Sequence, residues 1–537
     1  MRASEPARPD RSAGPSHRSG SAAALVGALA LVGGCGGGGE RTAAAPLRPN
    51  LLVIVADDMG RELGSYGDRS ARTPALDALA REGLRFDAAF AAAPVCSPSR
   101  AALLTGLFPH ANGHVGFPAE SRLGPEVRTI AEPLNEAGYA TGLIGKLHVA
   151  AHGEESGARQ LPFQEVVAFD RPEADSPERL AREVGSFLAR VRGRPFFLLV
   201  GLHAPHTPYP GEEGVPAWPE PHDPSRLAVP PTAPDSPAFR RRLARMYDAY
   251  SLADSLVAAA LGALAAAGAS GSTLVLFTSD HGPALPGAKG TLFDPGIRVP
   301  LLARWPGVVE PGGSSSALVS GVDLLPTLLE AAGAAPAQGL QGRSFLPLLR
   351  GGSVAGRDAV FAEQSRLEGN RYFPQRAIRT ARLKYLRSLR PDVELRSNSL
   401  GHWARPLLLR WQVDPGARRL VERVVRHPRE ALYDLEADPH ELSNRAGDPV
   451  WASAQAELRD RLRSWMAETG DPWLALFDWS PGSPDPFEPR ETREGPFRPR
   501  WLDDEIARVQ AAAGGAGSRA GPSNEASPDP IPPSGKP

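Results

Sequence analysis

The stretch "NLLVIVADDMG", residues 50–60, decides the fold. Leu51 to Ala56 run apolar without alternation, the signature of a strand buried on both faces of a parallel sheet. Similar runs recur as "TGLIG" (141–145), "PFFLLVGL" (195–202), "STLVLFTS" (272–279) and "VPLLARWP" (299–306). Helical patterns lie between them: "TPALDALAREG", "SPERLAREVGSFLARV", the long 236–268 stretch and "VDLLPTLLEAAG", several opened by a Ser, Thr or Asp cap signal. Strands alternating with helices predict a doubly wound α/β domain over 49–350. From about 355 the pieces shorten to "AVFAEQS", "RAIRTARLKYLRS" and "ALYDLEADP", followed by a helix near 450–468, so a smaller α+β domain is expected over 351–481. Residues 482–537 are rich in Pro, Gly and Ser apart from "LDDEIARVQAAA" and read as a mostly disordered tail.

The 537 residues carry 60 Lys and Arg against 61 Asp and Glu, a net charge of −1, which gives no support for nucleic-acid binding. An apolar run, "SAAALVGALALVGG" (21–34), follows Arg2, Arg8, Arg11 and Arg18 and is too short to span a bilayer; that is the layout of a secretory signal. It leads through "LVGGC" into Cys35, which resembles a bacterial lipobox. The expectation is a signal peptide over 1–34, lipid attachment at Cys35, a Gly/Ala/Pro-rich linker over 35–48, and an exported protein anchored in the bacterial cell envelope. The alternative is an ordinary signal cut elsewhere. With Cys35 so assigned, Cys96 has no possible disulfide partner, since the chain has 2 cysteines. A lone thiol is a liability in an oxidising compartment, which hints that Cys96 does not stay a thiol. The plain reading is a small buried hydrophobe.

In open α/β sheets, sites form beyond the carboxyl ends of the strands. Asp57 and Asp58 follow the first strand, Lys146 and His148 follow "TGLIG", His203 and His206 follow "PFFLLVGL", and Asp280 and His281 follow "STLVLFTS". Each alone could be a cap or a surface charge; together they predict one site. Three aspartates offer the hard-oxygen set that suits Ca²⁺ or Mg²⁺.

The segment "CSPSR" (96–100) matches the Cys-X-Pro-X-Arg signature of the type I sulfatases, in the alkaline phosphatase superfamily. The order "VADDMG", "CSPSRAALLTG", "IGKLHV", "HAPHTPY" and "TSDHG" matches too, so the chain resembles that family over roughly 48–475. Within it, "CSPSRAALLTGL", "IGKLHV", "LYDLEADPHE" and "ETGDPW" look most like the sulfamidase (heparan N-sulfatase) branch. The resemblance implies an alkaline-phosphatase-like fold: a mixed, mostly parallel sheet between helices, with a smaller C-terminal domain built on an antiparallel sheet.

It also implies a mechanism. The signature cysteine, Cys96, becomes formylglycine (3-oxoalanine) through a formylglycine-generating enzyme, and its hydrated aldehyde is the nucleophile. "SRAALLTG" should start a helix there, turning N–H groups toward an anionic substrate. By resemblance Asp57, Asp58, Asp280 and His281 surround a divalent cation, Ca²⁺, with modified Cys96. His281 departs from the Asn or Gln of many members. Arg100 steadies the nucleophile, Lys146 and Lys289 bind sulfate oxygens, His206 protonates the leaving atom, and His148 helps regenerate the aldehyde. His203 has no such counterpart and reads as structural; Ser97 reads as a helix cap.

The implied activity is hydrolysis of a sulfuric ester or sulfamate of a sulfated glycan, releasing sulfate. The rivals are a phosphate or phosphonate ester hydrolase of the same superfamily, a non-catalytic glycan-binding homologue, and an ordinary thiol hydrolase. Selectivity is expected from loops 152–175 and 207–235 and from the region between Glu363 and Arg376.

Overall fold

The computed structural model describes residues 48–488 except 120, 151–160, 170–175, 213, 234, 355, 368–370 and 396–414. The expected signal peptide, the Cys35 anchor, nearly all of the linker, and the tail beyond 488 lie outside the described residues. The larger part runs β1 (Asn50–Ala56), α1 (Pro74–Arg81), β2 (Leu84–Phe90), α2 (Cys96–Thr105), β3 (Ala140–Gly145), β4 (Glu165–Ala168), α3 (Pro177–Arg190), β5 (Phe196–Gly201), α4 (Pro237–Ala266), β6 (Thr273–Ser279), β7 (Arg298–Arg304), β8 (Gly313–Ser315), β9 (Val319–Ser320) and α5 (Leu324–Ala332). Then follow β10 (Ala359–Leu367), β11 (Arg371–Thr380), β12 (Leu383–Ser388), α6 (Pro415–Val425), β13 (Glu430–Asp434) and α7 (Ala452–Glu468), with one-turn helices between.

The first sheet has the order β4-β3-β5-β1-β6-β7-β2-β8, with β9 beside β2. The strands from β4 to β6 are parallel, while β7 runs antiparallel to both β6 and β2. The five apolar runs of the sequence are β1, β3, β5, β6 and β7. What the runs did not show is β2, "LRFDAAF", whose charged Arg85 and Asp87 break the pattern because that part of the sheet is only half covered. β1 lies at the centre and is buried on both faces as expected: Leu52, Ile54 and Ala56 pack toward Val184 of α3 and Tyr250 of α4, whereas Leu51, Val53 and Val55 pack toward Leu104 of α2 and Leu328 of α5. Ser236 caps α4 by accepting from Phe239 N, with Pro237 at its first position.

The second sheet, β10-β11-β12-β13, is wholly antiparallel. The single piece "RAIRTARLKYLRS" is two strands here, because Thr380 turns the chain and its hydroxyl accepts from Leu383 N. This sheet is fastened to α2 and its surroundings by an apolar cluster that joins Ala102 and Phe108 to Trp465 and Leu462 of α7. A backbone bond from Glu363 N to Ala92 O, 2.9 Å, adds to it. The chain remains docked beyond 481: Asp485 pairs with Arg390 at 2.8 Å and the Phe487 ring packs at a tilt against Trp473, centroids 4.8 Å apart, so the start of the expected tail is part of this body.

The strand ends are level. Gly145 pairs with Gly201, and Val55 pairs with both Gly201 and Thr278. At this edge Lys146 N donates to Gly201 O at 2.7 Å, and a Cβ on Gly201 would lie 1.8 Å from Lys146 O. Only glycine permits that approach. Gly201→Ala is therefore expected to destabilise the fold by about 2–4 kcal/mol, read as a lowered Tm in calorimetry, with Lys146 displaced; an unchanged Tm would contradict the packing.

Candidate active site

The expected residues converge. Asp57 and Asp58 leave β1, Lys146 and His148 leave β3, His203 and His206 follow β5, and Asp280 and His281 leave β6. Asp57, Asp280 and His281 are fully buried and Asp58 nearly so, at 2%. Two of these positions depart from ordinary backbone: Asp58 has φ 65° and His148 φ 55°, left-handed values that non-glycine residues accept where surrounding structure imposes them. For Asp58 the imposing contacts are its own N–H on Asp280 Oδ1 (3.2 Å) and Met59 N–H on Ser279 Oγ (3.0 Å).

Cys96 is the first residue of α2, and every residue of that helix is buried. Ser97 is not the cap: the capping position is Val95, no side chain caps the helix, and Ser97 Oγ is buried with no hydrogen-bond partner. Leaving the first turn uncapped turns its unclaimed N–H groups and the positive end of the helix toward the site. The Cys96 Sγ lies 3.3 Å from Asp57 Oδ1, 4.0 Å from Asp58 Oδ1 and 3.2 Å from His281 Nε2. Burial first, then the Asp57 charge, pushes the thiol well above its ordinary pKa. A thiolate nucleophile is disfavoured in such a place, which removes the support for an ordinary thiol hydrolase.

Three carboxylates are met by three cations. Arg100 Nε donates to Asp280 Oδ2 at 2.8 Å and its other end reaches Asp57 Oδ2 at 3.5 Å. Lys146 Nζ pairs with Asp57, and Lys289 Nζ lies 2.7 Å from Asp58 Oδ1. Burial alone would raise the Asp57 pKa, but Lys146, Arg100, His206 and Lys289 hold it well below the usual carboxylate range. The histidines answer to the same field. Burial first, then Lys146, holds His148 well below its ordinary value, and burial with Lys289 and Lys146 takes His206 to about 3. His206 Nε2 stands 3.9 Å from Asp58 Oδ2. His203 is buried and packs edge-on against the His206 ring at 5.0 Å.

The Lys289 loop is tied down from three sides. Lys289 N donates to Pro283 O (3.0 Å) and Gly290 N to Pro94 O (2.9 Å), two residues before Cys96. The third anchor comes from the second sheet: Asp294 N donates to Glu441 Oε2 at 2.6 Å, while Lys384 Nζ bridges Asp294 Oδ1 (2.8 Å) and Glu441 Oε1 (3.0 Å). Sequence reasoning passed over Asp294, Lys384 and Glu441, although "LYDLEADPHE" contains the last as a family-like segment. By contrast Glu363 and Arg376, expected near a selectivity surface, face inward. Glu363 accepts from His110 N at 2.7 Å, and Arg376 is fully buried on Asp471 at 2.6 Å; both pack the joint between the two sheets.

Residues 49–334 match the sulfatase family, and residues 288–394 match the N-sulphoglucosamine sulphohydrolase C-terminal family. The chain belongs to the sulfatase family: it is a hydrolase of sulfuric esters or sulfamates with the alkaline-phosphatase-like fold. Among its relatives is the N-sulphoglucosamine sulphohydrolase of Homo sapiens, 34% identical over 484 residues, covering 80% of this chain and 92% of that protein. Another is an ulvan-active sulfatase of Formosa agariphila, 30% identical, covering 80% of this chain and 82% of the relative. The phosphonate monoester hydrolase of Agrobacterium radiobacter shares the fold at TM-score 0.61 and 24% identity, over 79% of this chain and 96% of that one. A protein solved in complex with its substrate D-glucosamine-2-N,6-O-disulfate does so at TM-score 0.60 and 22% identity, over 79% and 99%.

The family implies a divalent metal and a formylglycine made from the signature cysteine. The residues present fit the metal. Asp57, Cys96, Asp280 and His281 offer ligand atoms all within 4.8 Å of one another. The Gly282 carbonyl lies 2.8 Å from His281 Nδ1, which suits an Nδ1–H donor, and places Nε2 at the cluster, 3.2 Å from Cys96 Sγ and 3.3 Å from Asp58 Oδ1. Asp58 Oδ2 is buried without a hydrogen-bond partner. The imidazole at 281 therefore suits the cluster as a ligand, not merely as a neighbour.

Two outcomes are expected. Asp280→Asn should weaken divalent-cation binding at least tenfold in isothermal titration of chelator-treated protein; equal affinity would move the metal elsewhere. Lys384→Met leaves two buried carboxylates facing each other and should cost about 3–5 kcal/mol of stability while Lys384→Arg costs less, read in thermal unfolding.

Proposed function

We propose that this protein removes the N-linked sulfate of glucosamine at the end of a sulfated glycan, using residue 96 as formylglycine and Ca²⁺ as the metal. The observation that carries it is the position of Cys96: the first residue of an uncapped helix, within 3.3 Å of Asp57 and set among Arg100, Lys146 and Lys289. Similarity to the N-sulphoglucosamine sulphohydrolase across both matched families supports the N-sulfate over an O-sulfate. Hard oxygens from three aspartates support Ca²⁺.

In this reading the bound cation supplies positive charge against the sulfate oxygens and favours ionisation of the hydroxyl on residue 96. The chain does the rest. Lys146 and Lys289 swing from their carboxylate partners to sulfate oxygens, exchanging one anion for another at little electrostatic cost. Arg100 keeps Asp57 and Asp280 in register with the helix start. His206, held neutral by burial, Lys289 and Lys146, takes up a proton when the anionic substrate draws those lysines away and passes it to the leaving nitrogen, and His148, ring against Phe117 at 5.4 Å, receives the proton that frees the product. Burial of every charged partner excludes the bulk water that would screen them.

The proposal extends to maturation and address. A formylglycine-generating enzyme acts on the "CSPSR" segment, and the 21–35 stretch supports export with Cys35 as lipid anchor.

The test is sulfate release, measured by ion chromatography, from glucosamine N-sulfate and glucosamine 6-sulfate, beside phenol release from a phenyl phosphonate monoester. The N-sulfate should be turned over fastest. Cys96→Ala should lower kcat at least about 1000-fold, and Lys289→Ala about 100-fold. The tryptic peptide with residue 96 should show loss of sulfur and gain of an aldehyde oxygen in its mass. Preference for the phosphonate ester would overturn the reading in favour of the rival hydrolase.

A further inference from the structure

A second concentration of charge lies on the half-covered part of the first sheet, and the site described above does not use it. Arg61, Arg85 and Arg298 gather on a single carboxylate residue, Asp87. Arg85 takes most of it, with Nε 2.9 Å and Nη2 3.4 Å from the two oxygens. Arg298 donates to the Asp87 backbone carbonyl, at 3.2 and 2.6 Å, and stands 4.0 Å from Asp294 Oδ2, while Arg61 stands 3.8 Å from Asp87 Oδ1. The other nearby carboxylates are committed: Asp294 to Lys384 and Arg379, and Glu62 to the Tyr250 hydroxyl at 3.2 Å. Two guanidiniums thus share the Asp87 carboxylate and the third reaches only the far side of Asp294, already held by Lys384 and Arg379, an excess of positive charge in a chain whose overall charge is −1.

The group is built rather than splayed. Tyr66 donates to Phe86 O at 3.0 Å and accepts from Leu301 N at 3.0 Å, which fixes its ring. Arg61 and Arg85 lie over that ring, 4.5 and 5.5 Å from its centre. Arg85 is held further by Ser65 O at 2.7 Å. Arg61, so placed, makes no side-chain hydrogen bond among the described residues, and its Nε is buried without a partner. The side chains nevertheless reach solvent, being 24%, 33% and 31% exposed for Arg61, Arg85 and Arg298. Burial and mutual repulsion make the charge costly: burial first, then Arg61, lowers Arg298 to about 10, and burial with Arg85 lowers Arg61. An anion delivered here would relieve that repulsion and satisfy open donors.

The place is also apt. Arg61 is three residues beyond Asp58, and Gly60 abuts Pro283 in the loop that carries Lys289. Arg298 opens β7 and pairs with Phe90 at the end of β2, at the sheet edge that bears the active site.

We propose that Arg61, Arg85 and Arg298 form an accessory subsite that takes a second sulfate or carboxylate of a polyanionic glycan while its reacting sulfate lies at Cys96. The inference rests on the glycan reading given above, and it makes that reading more specific: an oligosaccharide with several anionic groups is the preferred substrate, not a monosaccharide. Planar guanidiniums with unfilled donors suit the paired oxygens of sulfate and carboxylate alike.

The test separates binding from turnover. Titration calorimetry at low salt would compare a heparin hexasaccharide on the full chain and on Arg61→Gln, Arg61→Glu and, as a control, Arg192→Gln, an exposed arginine elsewhere. Affinity should fall about 5–10-fold for Arg61→Gln and further for Arg61→Glu, with Arg192→Gln unchanged. In kinetics, Arg61→Gln should raise KM for the hexasaccharide by a similar factor and leave kcat and KM for glucosamine N-sulfate as they were. Equal loss from Arg192→Gln would mean non-specific attraction, and no loss from either Arg61 variant, or no binding of the hexasaccharide at all, would overturn the subsite. If the hexasaccharide binds through Arg61 but neither it nor the monosaccharide is desulfated, the subsite stands and the N-sulfate reading falls.

Discussion

Everything else in this structure is arranged around a balance of charge that water does not help to keep. Asp57, Asp58 and Asp280 sit at the carboxyl ends of two central strands, sealed from solvent, and Arg100, Lys146 and Lys289 neutralise them. Unpaired carboxylates in such a place would protonate or pull the fold apart. Each cation comes from a different element: the helix that begins at Cys96, the end of β3, and the loop before β7. The balance therefore acts as a check on assembly, since the site is electrically tolerable only when all three elements have reached their places. It also readies the site for its task. An anionic substrate and a divalent cation enter a network whose charges are already opposed in pairs, so their arrival rearranges partners rather than creating charge from nothing.

The second sheet extends that constraint outward. Its Lys384 and the nearby Glu441 grip Asp294, and through Asp294 they hold the loop that carries Lys289. Burial would raise the Asp294 carboxyl, yet Lys384 and Arg379 bring it down to about 2, so the grip holds over any physiological pH. At the other end of the joint Arg376 and Asp471, with Glu363 on His110, close the seam beside α2. Among the described residues the smaller sheet thus serves the site by position, without lending a side chain to the reacting group.

Much of this was legible in the residues. The unbroken apolar runs marked the central strands because a strand with no wet face has no reason to alternate, and four runs each ended in acid, base or imidazole. The Cys-X-Pro-X-Arg segment then narrowed the chemistry. Other features left no local trace. β2 carries Arg85 and Asp87 within a strand and looks like surface; its membership in the sheet depends on β7 running backwards beside it. The stretch from Glu363 to Arg376 was expected to help set selectivity, and the two residues that bound it are buried partners across the joint between the sheets. Ser97 looked like a cap, but the helix begins one residue earlier.

By itself the sequence determined the class of fold, the family and the identity of the polar residues at the strand ends, because hydrophobic period and motif order are properties of short segments. Only the tertiary structure decided which charge neutralises which, that His281 sets Nδ1 on a backbone carbonyl and Nε2 at the aspartate cluster, and that Arg61 is left with donors unfilled. Those are matters of distance between segments far apart in the chain, as from Asp58 to Lys289 or from Asp294 to Lys384. Coulomb energy and hydrogen bonding depend on separations in space, and separation along the sequence does not encode them.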